Sequence, residues 1–131
     1  MKTVLVVDDD ADIRELIAWK LGQAGYATMV AADGEAALVA ATQGDDDGRR
    51  PDLILVDWMM PKMSGIEVCQ ALRENPLTAR IPVILLTANA HEAQVQVGFA
   101  AGADDYIAKP FSPREMLGRI PAVLTRSEAR A

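Results

Sequence analysis

Three uninterrupted apolar runs constrain this chain more than any other feature: "TVLVV" at 3–7, "LILV" at 53–56 and "PVILL" at 82–86. None alternates with polar residues, so each reads as a strand covered on both faces. Such strands belong to parallel sheets packed between helices. The chain supplies those helices. After the first run, Ile13, Leu16, Ile17 and Leu21 fall on one helical face, and "LGQAGY" closes that helix with Gly22 or Gly25 as the stop. "DGEAALVAATQ" gives a second helix with Asp33 as N-cap. "SGIEVCQALREN" opens a third with the capping box Ser64-x-x-Glu67. "NAHEAQVQVGFAAG" gives a fourth, capped by Asn89, with His91 exposed in its first turn and Gly102 at its close. "SPREMLGRI" gives a fifth, with Ser112, Pro113 and Glu115 in capping positions, and Pro121 is expected to end or kink it.

Two strands of mixed character, "YATMVAA" at 26–32 and "DYIA" at 105–108, complete five strand–helix units. The continuous runs belong at the centre of the sheet and the mixed ones at its edges. The order 2-1-3-4-5 with right-handed crossovers satisfies this, giving an α/β, doubly wound parallel sheet of (βα)5 type. A length of 131 residues suits one domain. It is expected over residues 1–124, with 125–131 a C-terminal tail or linker stub.

Composition excludes several functions. Half the residues are hydrophobic, which rules out a disordered chain, yet no apolar run is long enough to span a bilayer. The start, "MKTVLVVDDD", is unlike a signal peptide, and the lone Cys69 excludes an internal disulfide, so a cytoplasmic location is expected. Cys69 falls on a helical face near Ile66 and Leu72, where it reads as core packing. A net charge of −6 argues against direct contact with nucleic acid, which needs a basic surface. Trp19, Trp58 and Phe99 lack the basic neighbours of a base-stacking platform.

The polar residues at the strand ends carry the chemistry. In an open parallel sheet, ligands bind beyond the carboxyl ends of the strands, near the switch in strand order. The first strand ends in Asp8, Asp9 and Asp10, the third in Asp57, the fourth in Thr87 and the fifth in Lys109. Asp57 follows four apolar residues, a costly place for an ionisable group without a use. Asp8, Asp9 and Asp57 would repel one another unless a cation intervened, and hard oxygen ligands with room for water suit Mg²⁺. Lys109 adds a second positive charge and Thr87 a hydroxyl donor. A carboxylate between a metal and a lysine can act as a nucleophile toward phosphorus, so Asp57 reads as a phosphoryl acceptor. Asp10 reads as the N-cap of the first helix. The insertion "GDDDGRRPD" reads as a solvated turn, with a second metal loop at Asp45, Asp46 and Asp47 as the lesser reading.

"VVDDD", "VDWMMP", "LLTA" and "YIAKPF", in this order, resemble the receiver domains of two-component response regulators, over roughly residues 3–124. The resemblance implies a flavodoxin-like fold. It implies that Asp57 takes a phosphoryl group from the phosphohistidine of a sensor histidine kinase or histidine phosphotransfer protein. It implies Mg²⁺ held by Asp9, Asp57 and the Met59 carbonyl, with Asp8 acting through water. Thr87 and Lys109 would contact phosphoryl oxygens, Tyr106 would be the aromatic switch, and the bond before Pro110 would be cis. The domain would be no enzyme beyond its own Mg²⁺-dependent phosphorylation and dephosphorylation. It would control a protein partner or output domain, and could dimerise through the face of helices 4 and 5, which carries Arg114 and Arg119.

Met59 is apolar two positions after the acceptor, and Asp10 adds a third carboxylate to the usual pair. Asp8-x-Asp10 also resembles the acidic motif of haloacid-dehalogenase-type phosphatases, with Asp8 as nucleophile and Asp10 as acid. A flavin-binding module on the same fold is a further alternative, but the chain lacks a Ser/Thr-rich phosphate loop.

Overall fold

The computed structural model describes residues 1–88, 92–110 and 112–130. Strands β1 (Thr3–Val7), β2 (Ala27–Ala31), β3 (Leu53–Asp57), β4 (Val83–Thr87) and β5 (Asp105–Ala108) alternate with helices α1 (Ala11–Gln23), α2 (Gly34–Gln43), α3 (Gly65–Glu74), α4 (Glu92–Ala100) and α5 (Pro113–Arg130). All pairings are parallel, in the order β2-β1-β3-β4-β5. The expected topology and the central place of the three apolar runs hold.

Successive residues of a strand face opposite sides of a sheet, and both sides are filled here. Leu5, Val7, Ile54, Val56, Val83 and Leu85 pack with Ala37, Ala41, Val68, Cys69 and Leu72 from α2 and α3. Val4, Val6, Leu53, Leu55, Ile84, Leu86 and Ile107 pack with Ile17 and Leu21 of α1 and Met116, Ile120 and Val123 of α5. β1, β3 and β4 are buried along their whole length, which is why their sequences do not alternate.

The caps anticipated from sequence are in place. The Asp10 carboxylate accepts from the amides of Asp12 and Ile13, Asp33 caps α2, and Ser64 and Glu67 form a reciprocal capping box. α1 closes at Gly25, whose φ of 95° suits the residue following a helix. Cys69 is buried in the core. Asn89 and His91 lie outside the described residues.

Two positions depart from expectation. Leu16, assigned to the inner face of α1, is 55 % exposed. Ile17 and Leu21, one turn apart, already fill the contact with the sheet, and Leu16 lies off their stripe. Of the two outcomes expected at Pro121, an end or a kink, the end is not seen: α5 runs through it to Arg130. A proline inside a helix costs about 3 kcal/mol. Met116, Ile120, Val123 and Leu124 are buried on both sides of it and outweigh that cost, while Pro121 itself faces solvent. The last turns carry ion pairs from Glu128 to Lys2 and from Arg126 to Asp105. Among the described residues, no helix is long and apolar enough to cross a membrane.

Candidate functional site

Register brings the site together. Val7 pairs with Val56, so the residues that follow them, Asp8 and Asp57, leave the sheet side by side. Asp57 pairs with Leu86, and Thr87 pairs with Ala108, which places Thr87 and Lys109 at the same rim. The Lys109 amide donates to the Thr87 carbonyl at 2.7 Å, and the Lys109–Pro110 peptide is cis.

Lys109 Nζ lies 3.3 Å from Asp8 Oδ2 and 3.2 Å from Asp57 Oδ1. Asp8 is 1 % exposed and Asp57 7 %. Asp9 is exposed, yet one carboxylate oxygen from each of Asp8, Asp9 and Asp57 lies within 4.8 Å of the others. Burial pushes the Asp57 carboxyl above its usual range; Lys109 opposes the shift, and Asp8 and Asp9 add to it. Burial disfavours charge on Lys109 too, but Asp57 and Asp8 outweigh it and its pKa is raised. Three carboxylates thus cluster together while one ammonium contacts two of them, Asp8 and Asp57, an excess of negative charge that a divalent cation balances. Oxygen donors alone, partly open to water, fit Mg²⁺ chemistry. The turn at 45–48 differs. There Asp45 Oδ1 accepts from the amides of Asp47 and Arg49, closing the loop on itself.

The three acidic residues after β1 are held differently. Asp8 is fully engaged: Oδ1 accepts from the Asp10 amide at 2.9 Å, and Oδ2 faces Lys109. Asp10 caps α1. The phosphatase alternative therefore gains no support, since it needs Asp8 as an unencumbered nucleophile and Asp10 as an acid.

The loop after β3 keeps the rim open. Met59 is 74 % exposed. The Met63 amide donates to the Pro61 carbonyl at 2.7 Å around Lys62, whose φ is 68°, a tight three-residue turn. Gly65 then donates to the Trp58 carbonyl at 2.9 Å, and a Cβ on it would lie 2.6 Å from the Asp57 carbonyl oxygen. Only glycine lets α3 start so close to Asp57.

Thr87 and Tyr106 belong to the other side of the sheet. Thr87 is 5 % exposed. A cavity of about 10 Å³ lies between the sheet and α4, lined in part by Trp58, Leu85, Thr87, Gly98 and Tyr106. The Tyr106 ring meets Phe99 edge-on at 6.2 Å, and the Arg119 guanidinium sits 5.8 Å from its centroid. Arg119 also pairs with Asp105 and Glu115, so this part of the α4–α5 face is already tied within the chain.

Sequence reasoning missed three supporting residues. Arg14 Nη1 donates to the Asp8 carbonyl at 2.8 Å. Arg73 donates to the carbonyls of Ile81 and Gly102 and pairs with Asp104, tying α3 to the segment before β5. Gly65 follows the Ser64 cap in sequence. Its glycine-only spacing becomes visible once the Asp57 carbonyl is located.

The receiver-domain profile of response regulators matches residues 4–121. The phosphate regulon transcriptional regulatory protein PhoB of Pseudomonas aeruginosa is 48 % identical over 126 residues, covering 96 % of this chain and 53 % of PhoB. The chain spans about half the length of the curated relatives it matches. The chemotaxis protein CheY4 of Vibrio cholerae superposes with a TM-score of 0.85 at 36 % identity, over 94 % of this chain and 98 % of that one. The receiver domain of the sensor histidine kinase PA1611 of P. aeruginosa, solved with a magnesium ion in its active site cleft, superposes at 0.83 with 30 % identity, over 95 % and 98 % of the two chains. With its order of strands, its acidic rim and these likenesses over almost the whole chain, this protein belongs to the response regulator receiver domain family.

Proposed function

We propose that Asp57 accepts a phosphoryl group from a phosphohistidine of a sensor histidine kinase or phosphotransfer protein. The observation that carries this is the placement of the Asp57 carboxylate at the end of a buried strand, 3.2 Å from the Lys109 ammonium and clustered with the acidic pair Asp8 and Asp9. An Asp57 oxygen attacks phosphorus, the P–N bond breaks, and the imidazole leaves with its electron pair. Lys109 holds one side of the incoming phosphoryl group, and Thr87 donates its hydroxyl to another oxygen. Asp9, Asp57 and the Met59 carbonyl would hold Mg²⁺, with Asp8 acting through water, since its carboxylate already accepts from Asp10 and Lys109. Bound there, Mg²⁺ would take a phosphoryl oxygen and neutralise charge developing on it. The exposed Met59 side chain brings no polar group to a water approaching the aspartyl phosphate. The domain is a phosphoacceptor with intrinsic self-phosphorylation and dephosphorylation, not an enzyme acting on other substrates.

Residues 1–124 form the signalling unit, with 125–131 as its C-terminal tail or linker stub. PhoB is a transcriptional regulatory protein, so an output controlling transcription is the favoured partner, with nucleic acid contacted there and not by this acidic domain. Self-association through the α4–α5 face, with Arg114 exposed on it, is part of the same reading. So is a cytoplasmic location, where the phosphoryl donors reside.

The metal step is tested first. Trp58 adjoins Asp57, so Mg²⁺ should change its fluorescence saturably. Asp9→Ala should weaken binding about tenfold or more, equivalent to about 1.4 kcal/mol. An unchanged affinity would show that Asp9 is not a ligand.

A further inference from the structure

We propose that Arg14 is a positioning residue of the metal site, setting the direction in which Asp9 presents its carboxylate; this rests on the reading of Asp9 as a ligand given above. Asp9 is the weakly held member of the acidic cluster. It is exposed, and among the described residues nothing donates a hydrogen bond to its carboxylate. Asp8, by contrast, is fixed through its amide to the Ala31 carbonyl at 3.2 Å and through both carboxylate oxygens. The Asp9 side chain can therefore be aimed only through its backbone.

That backbone is clamped from one side by Arg14. Its Nη1 donates at 2.8 Å to the Asp8 carbonyl, the oxygen of the peptide unit joining Asp8 to Asp9. Holding the oxygen of a planar peptide restrains its rotation, and with it the direction of the Asp9 N–Cα bond. Arg14 is itself anchored, because its amide donates to the Asp10 carbonyl at 2.9 Å in the first turn of α1. The guanidinium thus spans from the capped helix back to the strand end and closes the loop at 8–10 on itself. Outer groups that orient ligands in this way typically contribute 10–100-fold to metal affinity.

Charge alone predicts the opposite effect, which makes the proposal testable. Arg14 is a cation bonded to the backbone of the acidic loop, so deleting its charge should tighten Mg²⁺ binding if electrostatics were its only role. Positioning predicts weaker binding. Mg²⁺ titrations followed by Trp58 fluorescence should give a dissociation constant raised about tenfold in Arg14→Met. Arg14→Lys, which keeps the charge and one donor but not the fork, should fall between that variant and the unmutated protein. Phosphorylation by acetyl phosphate at saturating Mg²⁺ should proceed at close to the unmutated rate, so that the defect appears in the Mg²⁺ requirement alone. Denaturant unfolding of each variant gives the folded fraction, and Arg14→Lys serves if Arg14→Met does not fold. Unchanged or tighter Mg²⁺ binding in Arg14→Met, or Arg14→Lys indistinguishable from the unmutated protein, overturns the proposal. Absence of any Mg²⁺ response in the unmutated protein would instead overturn the metal site itself.

Discussion

Asp57 is stabilised and destabilised by the same environment. The apolar strand that presents it also removes water from it, and Lys109 compensates only in part, so its carboxyl holds its proton above the usual range. A carboxyl whose folded-state pKa exceeds its unfolded value contributes stability in acid, and that contribution is lost as pH rises through the folded pKa. At neutral pH without metal, the ionised group is then a net cost to folding. Asp57→Asn should therefore unfold at higher denaturant concentration than the unmutated protein at pH 7 in chelator. Mg²⁺ at ten times its dissociation constant should stabilise the unmutated protein by about 1.4 kcal/mol and Asp57→Asn far less. Equal midpoints in chelator would mean that Lys109 fully compensates the burial. Asp57, Thr87 and the acidic triplet were legible because each ends an apolar run, and Lys109 because it ends the last strand-forming stretch, all local signals. Arg14 and Arg73 were not. Arg14 bonds six residues back, and Arg73 reaches carbonyls and a carboxylate up to 31 positions away. A single sequence carries no mark of such pairings.

Strand parity divides the molecule's work between its faces. Ile107 packs on the α1–α5 side, and two residues further on Lys109 meets Asp8 and Asp57. Tyr106 points the other way and packs beside Leu85 and Trp58, near α4. Chemistry therefore lies toward one face and the proposed switch toward the other, with Thr87 between them. The proposed switch would move α4. Val97 and Phe99 are exposed, and Gly98 makes its close approach to the sheet, where a Cβ would fall 2.8 Å from Leu85 Cδ1. A phosphoryl group that draws Thr87 inward would enlarge the small cavity behind it, space that Tyr106 can fill. Thr87→Ala should then still be phosphorylated, but lose most of the change in amide exchange over α4 and β5 that beryllofluoride induces in the unmutated protein. Equal protection in both proteins would place the coupling elsewhere. Element identity was readable from periodicity and caps. Leu16, and the helix end that was one of two outcomes expected at Pro121, departed where packing overrode a local rule: two neighbours were enough for α1, and a buried stripe carried α5 through its proline.

As a whole, the chain is a receiver whose curated relatives are about twice its length. Two apolar layers cover the sheet, and the acidic rim, open to solvent at Asp9 and Met59, is where a phosphoryl donor can reach it. Fold and rim together were legible because a parallel sheet confines ligand chemistry to one end of its strands. What the rim does with phosphate is decided by locating the label. The protein should be incubated with acetyl phosphate and Mg²⁺, digested, and its phosphorylated peptide sequenced by mass spectrometry. The label should lie on Asp57, disappear when Mg²⁺ is chelated, and be absent from Asp57→Asn. A label on Asp8, or stable labelling of Asp57→Asn to the same extent, would contradict the assignment of Asp57 as the acceptor.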